Sequence, residues 1–233
     1  MRVRQAFFQS MMGLLLLSLV SILSSQAGKI TQTQEVIAKI SKAVVVLDAG
    51  HGGSDPGKVG VDGTLEKDIN LQITQKLKKY LEKADVEVIL TRENDSGLYK
   101  DTDSQKKKAD MRERCRVMEE SDPDLIVSIH QNSYHQENVS GAQVFYYKDS
   151  EKGKKLAEII QKRFDYVLGE KNRRQAKSND SYYLFLHTKA PIALVECGFL
   201  SNWEEASKLK QEVYQDKIAW AIHMGILEYL NKT

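Results

Sequence analysis

Residues 43–53 read Ala-Val-Val-Val-Leu-Asp-Ala-Gly-His-Gly-Gly. The first five are apolar and largely β-branched, which predicts a buried strand over 43–47. The glycines behind them predict a loop at its C-terminal end, running to Gly63. Leu65–Lys83 then places Ile69, Ile73, Leu77 and Leu81 at four-residue spacing, the mark of an amphipathic helix. Val86–Leu90 is the next strand. Strand, glycine loop, helix and strand make one α/β unit, and the rest of the chain extends it. Gln105–Glu120 predicts a charged helix stopped by Ser121-Asp122-Pro123. Leu125–Ile129 and Ala142–Tyr147 predict strands, and Glu151–Leu168 a helix with Leu156, Ile159, Ile160 and Phe164 on one side. Gly169–Asp180 predicts a basic, polar loop, and Ile192–Val195 the last strand. Asn202 and Glu205 have capping-box spacing and open a helical region to Leu230, with room for one break. The fold class expected is α/β: a single domain over 43–231, with a twisted, mostly parallel (mixed) sheet flanked by helices on both faces.

Composition agrees with a globular protein. The chain has 233 residues, 41% hydrophobic and 28% charged, with 14 glycines and 3 prolines. These values exclude a collagen-like, disordered or polytopic membrane protein. A net charge of +2 supplies no field for nucleic acid. At the N-terminus, Arg2 and Arg4 precede the apolar run Met11–Leu23, and small residues follow at Ser25 and Ala27. This is the layout of a secretory signal peptide over 1–27, cleaved at Ala27–Gly28. An uncleaved anchor or a buried helix is the alternative, and either places the remainder outside the cytoplasmic membrane. Cleavage would remove two positive charges and no negative ones, leaving a neutral chain. Residues 28–42 fit a polar linker or a helical lead-in. Cys115 and Cys197 are expected as free thiols, the first incidental and the second buried; no CxxC offers a thiolate zinc site.

Chemistry-bearing residues fall where strands end or helices begin. His51 follows the first strand, Glu66 opens the next helix, His130 and Asn132 close a strand, and Glu196 closes the last one. On a parallel sheet such positions converge on one edge. Two histidines and a glutamate with one open position make a catalytic zinc set, and a further carboxylate must then move the proton. His51, Glu66 and His130 fit the ligands, and Glu196 the acid/base. A plainer reading stays open: a loop histidine making a hydrogen bond, and a glutamate favoured by a helix dipole. Glu196 is the least ordinary of the four, because a charge closing the apolar IALV needs a cation, a metal site or a shifted pKa. A salt bridge to Lys or Arg would also satisfy it. His135 is expected in solvent, His187 packed, and His223 hydrogen-bonded on its helix. The basic run Lys171, Arg173, Arg174 and Lys177 is expected as a solvated loop.

The segments LDAGHGGSDPG, TLEKDINL, ILTRENDSG, IVSIHQNS and ALVECGFLSN resemble, in order, the motifs of the zinc-dependent N-acetylmuramoyl-L-alanine amidases of the amidase-3 type, over about 43–231. The resemblance implies an enzyme that hydrolyses the amide between the lactyl group of N-acetylmuramic acid and the L-alanine of the stem peptide. It places the family's zinc ligands on His51, Glu66 and His130, its cofactor as Zn2+, and its catalytic glutamate on Glu196. Asn132 and Arg92 also lie on its motifs. Asn132 is expected to orient ligand or substrate, and Arg92 either to bind a stem carboxylate or to be structural. The short 93–104 loop leaves no room for a long occluding insertion, and no wall-binding module follows Leu230. A minimal exported domain of this kind resembles the germination-specific members, which prepare spore cortex for muramic-δ-lactam formation. That implies an accessory lipoprotein or a deacetylase as partner, and the cell wall or the forespore intermembrane space as location. The rivals are a vegetative autolysin of the same chemistry, a zinc exopeptidase using Arg92 and Tyr183 as a carboxylate clamp, and a non-catalytic peptidoglycan-binding module.

Overall fold

In a computed structural model, which describes every residue except Met1, Ser41, Glu170 and Lys171, the chain divides into two units, residues 1–39 and 40–233. Residues 2–39 of the first belong to helix α1 (Arg2–Ile40), which continues through Ala27–Gly28 and through most of the segment expected as linker or lead-in. Among the described residues, no helix is long and apolar enough to cross a membrane.

The second unit runs β1 (Val44–Ala49), α2 (Glu66–Glu82), β2 (Glu87–Leu90), α3 (Lys106–Glu120), β3 (Leu125–Asn132), β4 (Gln143–Tyr147), α4 (Glu151–Leu168), β5 (Lys177–Asn179), α5 (Tyr183–His187), β6 (Ile192–Phe199), α6 (Trp203–Leu209) and α7 (Glu212–Lys232). Its six strands lie in the order β2-β1-β3-β6-β4-β5. All neighbours are parallel except β4 and β6. The sheet is therefore mixed and mostly parallel, as expected.

Helices cover both faces, which explains why β1 opens on an unbroken apolar run, Val44–Leu47. Val45 and Leu47 turn to the core built from α2, α4 and α7. Val46 turns the other way, to Cys115 and Met118 of α3 and Leu184 and Phe185 of α5. The α2 stripe of Ile69, Ile73, Leu77 and Leu81 is almost wholly buried, each side chain contributing roughly 1.5–3 kcal/mol of hydrophobic stabilisation. Cys115 and Cys197 are both buried free thiols. Cys115 is thus a core residue rather than an incidental one, and burial pushes its thiol up to about 11.

Several expectations are corrected. β3 and β6 extend past their apolar runs to Asn132 and Phe199, because ladder hydrogen bonds join backbone groups and continue under polar side chains. The stretch 169–187 holds the three-residue β5 and the five-residue helix α5, which are too short for any periodicity to show. Asn202 does cap α6, accepting from the Glu205 N–H at 2.9 Å. The Glu205 carboxylate instead accepts from the N–H groups of Phe199 and Gly141, so only half a capping box forms. His223 is buried against Tyr80 and Trp220, and neither ring nitrogen has a hydrogen-bond partner; burial lowers its pKa and favours the neutral ring. His187 is exposed and stacked on Tyr183 rather than packed inside. In the basic run, Lys171 lies outside the described residues, while Arg174 donates to the Ser140 carbonyl and covers the Phe199 ring.

Candidate active site

The parallel strands β1, β3 and β6 bring their C-terminal ends side by side, and this adjacency assembles the site. His130 of β3 pairs in register with Glu196 of β6. One residue further on the register shifts, so that Asn132 faces Phe199, a bulge that re-aims the strand ends. His51 lies two residues past β1, and Glu66 is the first residue of α2.

His51, Glu66 and His130 each offer one ligand atom, and these atoms lie within 4.8 Å of one another. Glu66 is buried at their centre. Its Oε1 is 2.9 Å from His130 Nδ1 and its Oε2 3.2 Å from His51 Nε2. Backbone N–H groups of Gln131 and Lys58 donate to the two oxygens. Burial alone would raise the Glu66 pKa, but hydrogen bonds and charge from the two imidazoles hold it far below the carboxylate range. For His51, burial favours the neutral ring, yet Glu66 and Asp55 outweigh it and raise the pKa. His51 Nδ1 lies 3.0 Å from Asp55 Oδ2. Were the Nδ1 proton shared with Asp55 the only one on the ring, Nε2 would meet the Glu66 carboxylate lone pair to lone pair, an arrangement that a second proton or a bound cation relieves. The donor set suits zinc over calcium or magnesium, which prefer oxygen.

The loop that carries His51 is held from beneath. His51 sits at φ +62°, a left-handed conformation that costs a non-glycine residue energy and persists only where the surroundings enforce it. Two buried arginines enforce it. Arg114 of α3 donates to the carbonyls of Ala49 and His51. Arg92 donates to the carbonyls of Ala49, Gly50, Lys67 and Asn94. Arg92 is therefore no substrate ligand: backbone oxygens take its donors, it is 3% exposed, and it lines neither cavity at the cluster. This also removes half of the carboxylate clamp that an exopeptidase would need.

Arg114 in turn meets two buried carboxylates, Asp48 at 2.6 Å and Asp110 at 2.6 Å. Asp48 also accepts from the hydroxyls of Thr91 and Ser128. Burial pushes the Asp48 pKa up, but the Arg114 guanidinium and the two hydroxyls overcome this and hold it at about 2. Sequence reasoning missed this network, and an Arg in a helix already rich in charge gives no local signal of it.

Glu196 lines the same cavities as His51 and His130. Its Oε2 is shut off from solvent and has no hydrogen-bond partner, and no Lys or Arg among the described residues pairs with it. Burial raises its pKa to about 7, opposed by His130 and reinforced by Glu66. A carboxylate poised there can accept a proton near neutral pH and return it. Asn132 lines the polar side of the cleft, with its Oδ1 accepting from the Ser133 N–H.

Comparison with known proteins agrees with this geometry. Residues 45–228 match the family described as N-acetylmuramoyl-L-alanine amidase (Amidase_3). The chain is similar to the germination-specific N-acetylmuramoyl-L-alanine amidase of Bacillus subtilis, 39% identical over 196 residues, 83% of this chain and 82% of that protein. It is 34% identical to the amidase LytC of the same organism, over 79% of this chain but 35% of LytC. Among solved structures, the CwlD amidase of Clostridioides difficile, in complex with the GerS lipoprotein, superimposes with a TM-score of 0.80 at 44% identity, covering 82% of this chain and 100% of that one. With an acid/base candidate beside a His-Glu-His cluster on a matching fold, the chain belongs to the Amidase_3 family of N-acetylmuramoyl-L-alanine amidases, which act on peptidoglycan.

Proposed function

We propose that the chain is a zinc-dependent amidase that frees the lactyl group of muramic acid from L-alanine, acting on spore cortex and preparing it for muramic-δ-lactam formation. The observation that carries the chemistry is the Glu196 carboxylate in register with His130, its Oε2 shut off from solvent and without a hydrogen-bond partner. His51, Glu66 and His130 would hold one Zn2+, which supplies Lewis acidity, acidifying water and polarising the amide carbonyl. Glu196 takes the proton from water as it attacks the lactyl carbonyl, and hands it to the departing alanine nitrogen. Asn132, its Oδ1 engaged by Ser133, has its amide N–H groups left to donate to substrate. Glu66, with both oxygens anchored by backbone N–H groups, holds the ligand set in place.

The spore role is supported by similarity to the germination-specific enzyme. An accessory lipoprotein is supported by the GerS complex of the Clostridioides difficile relative; a deacetylase acting on the freed muramic acid is the second partner. Residues 1–27 serve export, to the cell wall or the forespore intermembrane space.

The test is reverse-phase separation of muropeptides after digestion of cortex peptidoglycan by zinc-loaded protein. The expected products are stem peptides with a free L-alanine N-terminus and glycan with free lactyl carboxylates; a chelator abolishes them and added Zn2+ restores them. Cleavage at any other bond overturns the reading.

A second expectation concerns Gly50. A Cβ there would meet the His130 ring at 2.3 to 2.7 Å, so Gly50→Ala must displace a ligand. Disturbing a ligand's support typically costs about 10–100-fold in metal affinity. Zinc titration of Gly50→Ala should show a loss of that order, and unchanged affinity would remove His130 from the ligand set.

A further inference from the structure

The cleft has two lobes that share His51, Asp55, Lys107, His130 and Glu196. One, of about 300 Å³, is walled by the polar Gln131, Asn132 and Ser133. The other, of about 180 Å³, is walled by Met111, Tyr182, Tyr183, Leu184 and Leu194, and opens onto a shelf of Lys106, Lys107, Lys108, Met111 and Tyr183. Lys107 stands where the lobes meet. Its side chain is 75% exposed, and its ammonium is 3.5 Å from Asp55 Oδ2. Asp55 is already engaged by His51 and by the Gly57 N–H, so this contact is long and leaves Lys107 with donors to spare. Helix stability does not account for the lysines either. They fill the first turn of α3, which has no acidic residue, and each cation there opposes the helix macrodipole.

Building on the amidase reading, we infer that Lys107 is a specificity-determining residue: it binds a carboxylate of the stem peptide at the cleft mouth where the two lobes meet. The substrate's charge distribution carries the assignment. The lactyl carboxyl is tied up in the scissile amide and the N-acetyl sugars are neutral, so the anionic groups near that bond belong to the peptide. The nearest is the free α-carboxylate of the D-glutamate that follows L-alanine, roughly 7 Å along an extended chain. That distance suits a long, flexible lysine at the cleft mouth rather than a group beside the cluster. As a mobile point charge, Lys107 demands no fixed bidentate geometry.

The experiment compares two synthetic muramoyl peptides that differ only in whether this α-carboxylate is free or amidated, using the zinc-loaded full chain. Wild type should favour the free carboxylate by about tenfold in kcat/KM, mostly through KM. Lys107→Met should erase the preference by slowing only the carboxylate substrate, and Lys107→Arg should keep part of it. A wild type that cuts both substrates equally overturns this inference alone. So does a Lys107→Met that slows both equally, as a mere support for Asp55 would, or a preference lost in Lys58→Met but kept in Lys107→Met. A wild type that cuts neither substrate overturns the amidase reading and this inference with it.

Discussion

Glu196→Gln should fold, bind metal and lose turnover by about 10²–10⁴-fold, the usual contribution of a positioned proton-transfer group. Glutamine keeps the volume at a strand position packed between His130 of β3 and Gln143 of β4, but it cannot take a proton. Stability gives a second readout with a definite sign. The Glu196 pKa is raised from 4.5 to about 7, so ionising it in the folded state costs free energy that ionising it in the unfolded chain does not. Below about pH 4.5 the carboxyl is protonated in both states and the penalty is absent. It grows as pH rises and is complete above about 7, at roughly 3 kcal/mol. In metal-free protein, Glu196→Gln should therefore match wild type near pH 4 and melt higher near pH 8. If Glu196 were half of a salt bridge, the Gln variant would melt lower near pH 8 and stay active per folded molecule. A zinc-loaded Gln variant cutting at the wild-type rate ends the acid/base assignment.

Arg114→Met should be the most damaging single change outside the ligand set. It leaves Asp48 buried and without its countercharge, frees Asp110, and releases the carbonyls of Ala49 and His51. Breaking a buried pair from one side typically costs about 3–5 kcal/mol, a fall of about 10 °C in Tm for a domain of this size. Because His51 holds its left-handed conformation against this arginine, zinc affinity should fall as well. Combining the change with Asp48→Leu should cost less than the two singles together, since the double variant buries no orphan charge. Thermal melts of the four proteins measure this directly; strict additivity would show that Asp48 and Arg114 act apart. Acid denaturation reports the same pair. The Asp48 pKa is lowered from 3.8 to about 2, so its contribution, roughly 2 kcal/mol, is present above pH 3.8 and is lost as pH falls through 2. Wild type should lose it over that range, and Asp48→Asn should not.

The sequence by itself determined the α/β class, most strand and helix positions, and the residues of the cluster. These depend on local properties: an apolar β-branched run, a four-residue apolar spacing, glycines behind a strand, and histidines and glutamates at element ends. It did not determine β5 or α5, which are too short for any period to register, nor the extension of β3 and β6 beneath polar side chains. The tertiary structure alone decided three things. Arg92 and Arg114 became clamps on the His51 loop, because their partners are backbone carbonyls whose positions no residue type encodes. Glu196 came to lie opposite His130 with a pKa near 7, because that depends on which strand pairs with which and on what covers the strand ends. His223 lost its expected hydrogen bond because α7 packs it against Tyr80 and Trp220, where no polar partner reaches either nitrogen. Burial and pairing are properties of contacts between distant segments, and only the folded chain makes those contacts.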